Sequence, residues 1–499
     1  MATVRETAST AGSGSPQKSL ASSAGALLAA KIVFVLAGYA IYVGLSRLLS
    51  QAQFGTFLVV NSAIAVLNAV FVSGTIQTVS RFVAQGPEGA AGVLRSALRL
   101  NAVLAGVIAG AFFLAAPQIA SLLNDPQLAP YLRVAAVIPL AYAFYASMIG
   151  FANGLRRFQL QAGFDVCFSV IKVALVVGLA WAGYGAFGAV SGFSTAAVLI
   201  LLASWWTIGR PAVSAGPGPA PSAGTLLRFE LAVMGHVGFT NLLMQLDLLL
   251  VQSLSVAGQA SIAAAAYGSA SKLAQIPYSV LVALNFLILP IIARSFAQSS
   301  KAETAQYVKQ ALRLGTALSA GPALVLACLA VPSITLVFGA QYAAAGPTLE
   351  VLALGYVAFS VWTLAATVVN GIGRPTVSLG LAVATVLAQL LLARTLIPEH
   401  GLMGAAIASS IAYLAGLAAI GSYLWFSFGP VVPWATLARV VVAGGVLFTV
   451  SMTPVAQLPV LIAAPLLGLL YLMVLTLLGE WRTEDLKAVM ARRPLAASR

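Results

Sequence analysis

The chain has 499 residues, 60% of them hydrophobic and only 8% charged, with a formal net charge of +14 and a mean hydropathy of +0.98. In soluble domains roughly a quarter of residues are charged, so this composition excludes an ordinary water-soluble globular protein and points to a membrane chain. A membrane β-barrel is disfavoured, because the apolar runs are continuous and lack the ~10-residue alternation of barrel strands.

The opening MATVRETASTAGSGSPQKSL is polar and of mixed charge, which predicts a disordered cytoplasmic leader over residues 1–24. It does not read as a signal peptide, since the apolar segment behind it has full spanning length and no small-residue cleavage site. About fourteen apolar runs follow, each near the ~20 residues that carry a helix across a ~30 Å hydrocarbon core. They predict spans at 25–49, 55–80, 98–122, 131–153, 159–181, 186–208, 229–254, 261–290, 312–337, 347–370, 376–397, 401–426, 433–453 and 458–478. The Pro/Gly/Ser-rich RPAVSAGPGPAPSAG predicts a cytoplasmic linker within 209–228. In the tail, 479–499, Thr483 ahead of Glu484 and Asp485 predicts the start of a short surface helix. Cys167 and Cys328 both fall inside spans, so no structural disulfide is expected.

Short cytoplasmic loops retain Lys and Arg. Arg81, Arg95, Arg99, Arg156, Arg157, Arg210, Arg228, Arg294, Lys301, Lys309, Arg313, Arg374 and Arg439 share one side on this count, as do both termini. The opposite loops near 51, 183, 257, 342 and 455 contain neither residue, and only Arg47, Arg133 and Arg394 approach that face. Both termini are therefore expected in the cytoplasm. The positive charge is accounted for by topology and requires no nucleic-acid partner.

An internal repeat sets the architecture. AQFG at 52–55 answers AAYG at 265–268, SRFVAQ at 80–85 answers ARSFAQ at 293–298, NGLRRF at 153–158 answers NGIGRP at 370–375, and YGAFGAV at 184–190 answers HGLMGAA at 400–406. All four recur in order at an offset of about 215 residues. The expected fold is thus an all-α polytopic membrane protein with an N-lobe at 25–208 and a C-lobe at 229–426. These six-span repeats would lie parallel around a central cavity, with two further helices in 427–478. The paired Gly185/Gly188 and Gly401/Gly404 suit close helix approach.

The segment LSRLLSQAQFGTFLVVNSAIAVLNAVFVSGTIQTVSRFVA resembles the first two helices of bacterial polysaccharide transporters. These are the Wzx-type oligosaccharide flippases of the multidrug/oligosaccharidyl-lipid/polysaccharide exporter (MOP) superfamily. The likeness continues through DLLLVQSLSVAGQASIAAAAYGSASKLAQIPYSVLVALNFLILPIIA, FGAQYAAAGPTLEVLALGYVAF, NGIGRP and HGLMGAAIASSIAY, and so covers nearly the whole chain. It implies alternating access and transfer of a lipid-linked oligosaccharide across the bacterial inner membrane.

Polar faces on several spans supply candidate binding groups. Gly268, Lys272, Gln275 and Ser279 share one helical face, as do Gln161, Asp165, Ser169 and Lys172; His236, Thr240 and Asp247 form a third set, Lys31, Gly38 and Tyr42 a fourth, and Asn61, Asn68 and Thr75 a fifth. An intramembrane ammonium costs at least ~2.5 kcal/mol unless hydrated or paired, which makes Lys31, Lys172 and Lys272, with Gln275 and Tyr42, candidates for meeting an anionic lipid pyrophosphate. Asp165 and Asp247 are candidate counter-ions or coupling-ion sites, and buried Lys/Asp pairing is the structural alternative. His236 reads as a packed histidine rather than a proton relay, and Arg156, Arg157 and Arg374 as topological charges.

No G-x-x-x-x-G-K-[ST] loop is present, and the only histidines are His236 and His400, so no enzyme activity, cofactor or metal is expected. The expected partners are the lipid-linked saccharide, membrane lipids and a polysaccharide polymerase or assembly protein. A lipid II flippase or a multidrug antiporter of the same superfamily is the alternative reading.

Overall fold

The computed structural model describes residues 16–214, 221–256, 258–282, 288, 292, 295, 296 and 300–480. Among these there is no strand. The helices, in chain order, are α1 (Pro16–Leu48), α2 (Gln51–Gln85), α3 (Ala90–Leu114), α4 (Ala116–Leu122), α5 (Ala129–Ala135), α6 (Val137–Gly154), α7 (Phe158–Leu179), α8 (Gly185–Ser204), α9 (Arg210–Ser214), α10 (Ala223–Leu254), α11 (Ala260–Ala274), α12 (Lys301–Cys328), α13 (Ala330–Val337), α14 (Gly346–Gly371), α15 (Pro375–Phe428), α16 (Trp434–Ser451) and α17 (Val460–Leu477).

Eleven helical stretches among the described residues are long and apolar enough to cross a membrane. Two of them, Phe158–Ser214 with 57 residues and Pro375–Phe428 with 54, each contain two predicted spans. The reversals fall at glycines: Gly183 has φ 95°, Gly185 φ 58° and Gly401 φ 56°, a region that glycine enters without steric cost. A second glycine past each turn lets the two arms touch. A Cβ on Gly188 would lie 2.9 Å from the Leu179 carbonyl oxygen, and one on Gly404 would collide with that of Leu396. Farther along α15, Gln389 donates to the Ser409 hydroxyl at 3.0 Å, joining the arms of the second hairpin. The predicted span 261–290 begins as α11, breaks at Gln275 and resumes to 282; its remainder apart from Ile288, with Pro290, lies outside the described residues.

Gly404→Ala is therefore expected to lower the melting temperature in detergent, because overpacking a tight contact costs about 1–3 kcal/mol. A Cβ on Gly421 meets nothing within 4 Å, so Gly421→Ala is the matched control and should melt like wild type.

The repeat is visible in the backbone. α3 gives way to α4 at Ala115, two residues before Pro117, and α12 gives way to α13 at Leu329, three before Pro332. In each case the proline ring and missing N–H break the ladder behind it. Left-handed residues recur in step: Asn124 (φ 56°) corresponds to Gly339 (φ 113°), and Arg156 (φ 60°) to Gly373 (φ 79°). Each pair is about 215 residues apart, the offset of the sequence motifs.

The leader expected to be disordered as far as residue 24 is helical from Pro16. Once a helix has nucleated, each further residue adds one hydrogen bond, so an apolar span propagates into flanking Ser, Ala and Leu. Likewise α9 and α10 extend into the predicted linker from either side. Residues 215–220, and the predicted helix start at Thr483, lie outside the described residues.

Two compact units form: Met1–Leu45, Val70–Leu114 and Arg133–Met234 make the first, and Ser46–Ala69, Ala115–Leu132 and Gly235–Arg499 the second. In the first, Val79 and Val83 pack with Ala90, Val93 and Ala97, while Gly150 and Gly154 bring α6 against the same valines. In the second, α12 packs on α16 and α17, with the Tyr471 hydroxyl donating to the Ala317 carbonyl at 2.7 Å.

The second unit also brings together segments predicted to share the outer face. Arg47 donates to the Leu336 carbonyl and Gln51 to that of Gln341, both at 2.8 Å. Asn124 donates to the Ser255 carbonyl at 3.0 Å, and Ser261 to Asp125 at 3.3 Å. Such contacts require these loops to lie on one side, which agrees with the predicted parity of the spans.

Candidate functional site

In the first unit, α1 and α7 set two of the candidate lysines in different surroundings. Lys31 Nζ lies 2.8 Å from Asp165 Oδ2; the lysine side chain is 48% exposed and the aspartate side chain 11%. One turn past Asp165, the Ser169 hydroxyl donates to the Asp165 carbonyl at 2.6 Å. Lys172 follows on the same face of α7 but does not reach Asp165. Its ammonium instead lies 3.6 Å from the centre of the Phe193 ring and 5.9 Å from that of Phe168. Tyr142 meets both rings edge-on and fixes them.

Lys172 has no carboxylate partner among the described residues. A desolvated cation–π contact contributes about 2 kcal/mol, less than the hydration an ammonium surrenders inside a membrane can cost. The half-buried Lys172 is therefore only partly compensated by its aromatic neighbours among the described residues. Tyr42, half-buried, lies on α1 three turns beyond Lys31.

In the second unit, Lys272 is 6% exposed and interacts electrostatically with Asp247, itself 1% exposed. Asp247 accepts from the Tyr267 hydroxyl at 2.9 Å and from the Leu248 amide at 2.7 Å. Gln275 closes α11 and donates to the Tyr356 hydroxyl at 3.2 Å. Tyr356 packs on Tyr413, whose hydroxyl donates to the Leu243 carbonyl at 2.9 Å. Lys272 is thus buried within protein, and it lies in the electrostatic field of an acid of its own unit. His236 is hydrogen-bonded on both ring nitrogens, to Asn370 at 3.2 Å and Ser378 at 3.4 Å, as befits a packed histidine.

Two buried acids, Glu230 and Glu480, carry no signal in the polar faces of the sequence. Glu230, on α10, is 1% exposed and accepts from Thr75 at 2.5 Å. Thr75 also lies 3.4 Å from Asn101, which donates to Ser147 at 3.3 Å. Glu230 sits off the helical face shared by His236, Thr240 and Asp247 and so does not extend that polar stripe. Its signal was simply a carboxylate near the start of an apolar run. Among the described residues no group of three His, Cys, Asp or Glu could hold a metal ion.

The family described as polysaccharide biosynthesis protein matches residues 44–347. The chain belongs to that family. The match spans more than half of the protein and includes the first two segments that resemble polysaccharide transporters, whereas NGIGRP and HGLMGAAIASSIAY lie beyond it. No curated protein sequence matches this polysaccharide biosynthesis family member.

Among solved structures, the lipid II flippase MurJ in an inward closed conformation is similar with a TM-score of 0.72 at 14% identity, covering 95% of this chain and 100% of that one. A MOP superfamily transporter from Pyrococcus furiosus is similar with a TM-score of 0.61 at 18% identity, over 84% of this chain and 97% of that one. An inward-facing MATE family transporter of the same superfamily gives 0.64 at 17%, over 80% and 95%. The polysaccharide biosynthesis family member therefore has the fold of MOP superfamily transporters, as its motifs imply.

Proposed function

We propose that this protein is a flippase that moves a lipid-linked oligosaccharide or polysaccharide intermediate across the bacterial inner membrane, with both termini in the cytoplasm. Family membership and the transporter fold support this reading, and the observation that carries it is Lys172. A half-buried ammonium on a membrane helix, resting on an aromatic ring with no carboxylate partner among the described residues, suits transient capture of an anionic phosphate.

Lys172 and the half-exposed Lys31 would meet the lipid pyrophosphate, with Tyr42 offering a hydroxyl nearby, while Asp165 holds Lys31 until the anion competes for it. The buried Lys272 and Asp247, with Gln275, would hold the second unit's interior in one arrangement. Alternating access would then present the bound headgroup first to one side of the membrane and then to the other. No bond in the substrate need be made or broken, so the role is that of a transporter and not an enzyme. A polymerase or assembly protein on the far side would consume the product.

The test is translocation in reconstituted vesicles. A lipid-pyrophosphate oligosaccharide should cross faster than in protein-free vesicles of the same composition. Equal rates would overturn the proposal. Transport of lipid II in preference to other glycans would replace it with the lipid II flippase reading, which the likeness to MurJ motivates.

A further inference from the structure

A cavity of about 430 Å³ opens in the second unit where the starts of α12 and α15 approach the end of α15. This is within the ~300–1,000 Å³ range of small-molecule sites. Among the described residues its charged lining residues are Lys301, in the first turn of α12, and Arg374, the residue that caps α15, and no carboxylate lines it. Arg374 donates to the Tyr423 hydroxyl at 3.3 Å, which leaves that phenol's proton available to an acceptor in the cavity. Ser427, also in the lining, makes no side-chain hydrogen bond among the described residues. Two cations and two hydroxyl donors facing one space match the needs of a phosphate.

The depth of the site indicates what carries that phosphate. Phe426, 87% exposed, lines the cavity, and Trp425, 41% exposed, precedes it. Both stand in the last turn of an apolar hairpin, just before the chain turns at Gly429 (φ 85°). Exposed aromatic residues at the end of a span occupy headgroup level, the depth of a glycerophospholipid phosphate. The basic residues here belong to the side predicted to be cytoplasmic, where anionic lipids supply negative surface potential.

We propose that this pocket binds the phosphate of an anionic membrane phospholipid, with Lys301 and Arg374 as the charge partners, Tyr423 and Ser427 as donors, and Phe426 against the acyl–glycerol boundary. The site lies entirely within the second unit and does not depend on what the protein transports.

The probe is phosphatidylglycerol, offered to the purified full chain in detergent and compared with phosphatidylcholine by native mass spectrometry. Wild type should retain phosphatidylglycerol with an apparent affinity about tenfold above that of the Lys301→Gln/Arg374→Gln variant, the scale of one charge-assisted hydrogen bond. Phosphatidylcholine should not separate the two proteins. Tyr423→Phe, which removes one hydroxyl and no charge, should weaken retention without loss of folding. Lys309→Gln, a charge change elsewhere on α12, should leave it unchanged. Equal retention by wild type and the double variant would overturn the site, and so would an equal loss in Lys309→Gln. Displacement of the lipid by millimolar inorganic phosphate would overturn the lipid as source and leave a site for free phosphate.

Discussion

Lys172→Ala is expected to slow translocation of a lipid-pyrophosphate oligosaccharide by about tenfold or more while the variant still inserts and folds. A charge-assisted hydrogen bond to phosphate is worth about 1.5–3 kcal/mol, and each 1.4 kcal/mol is a factor of ten. Folding should survive because no carboxylate is left unpaired when this ammonium goes: its neighbours are the Phe193 and Phe168 rings, which keep their packing with Tyr142. Lys172→Arg should retain much of the activity, since a guanidinium also rests on an aromatic face and binds phosphate. Lys272→Ala should behave differently. It removes a cation whose charge favours the buried Asp247 carboxylate, so its main effect should be a lowered melting temperature. If Lys172→Ala transports at the wild-type rate, the ammonium is a structural cation and the phosphate is met elsewhere.

The contrast between these lysines marks where reading the sequence stops. Each lies mid-span on a small-or-polar helical face, so hydropathy and periodicity treat them alike. Their separation comes from tertiary neighbours: Asp247 of α10 interacts electrostatically with Lys272 of α11, whereas Phe193 of α8 supports Lys172 of α7. The Lys31–Asp165 pair, 134 residues apart, likewise depends on which faces of α1 and α7 meet. What is local was legible. The glycines of YGAFGAV and HGLMGAA predict close helix approach, and Gly188 and Gly404 lie against the carbonyls of Leu179 and Leu396. The repeat reappears as matching helix breaks and left-handed residues, most of which depend on a proline, an asparagine or a glycine at one position, Arg156 being the exception. Glu230 was missed because its partners, Thr75 and Asn101, are assembled from distant helices and leave no periodic trace.

Glu480→Gln should lower the melting temperature of the detergent-solubilised protein, with a cost of about 3 kcal/mol. Past α17 the chain turns through Gly479 (φ 74°), whose amide donates to Thr476 O while that of Glu480 donates to Leu475 O, the pattern of a glycine-capped helix end. This turn directs a carboxylate only 1% exposed against three donors: Arg313 Nε at 2.6 Å, Arg439 Nη1 at 2.5 Å and Thr436 Oγ1 at 2.8 Å. Arg313 also donates to the Glu480 carbonyl. The cluster ties the start of α16 and the end of α17 to α12. A glutamine fits the space but removes the charge that two guanidinium groups share. Burial by itself would raise the Glu480 carboxyl, but the hydrogen bonds from Arg313, Arg439 and Thr436 outweigh it and hold the group below the usual glutamate range. A carboxyl depressed on folding contributes stability that is fully present above its unfolded value of about 4.3 and is lost as pH falls through the folded one. The gap between wild type and Glu480→Gln should therefore be constant near neutral pH and close on acidification below about pH 4. Parallel melting curves down to the acid limit would show that Glu480 does not draw its stability from these two arginines.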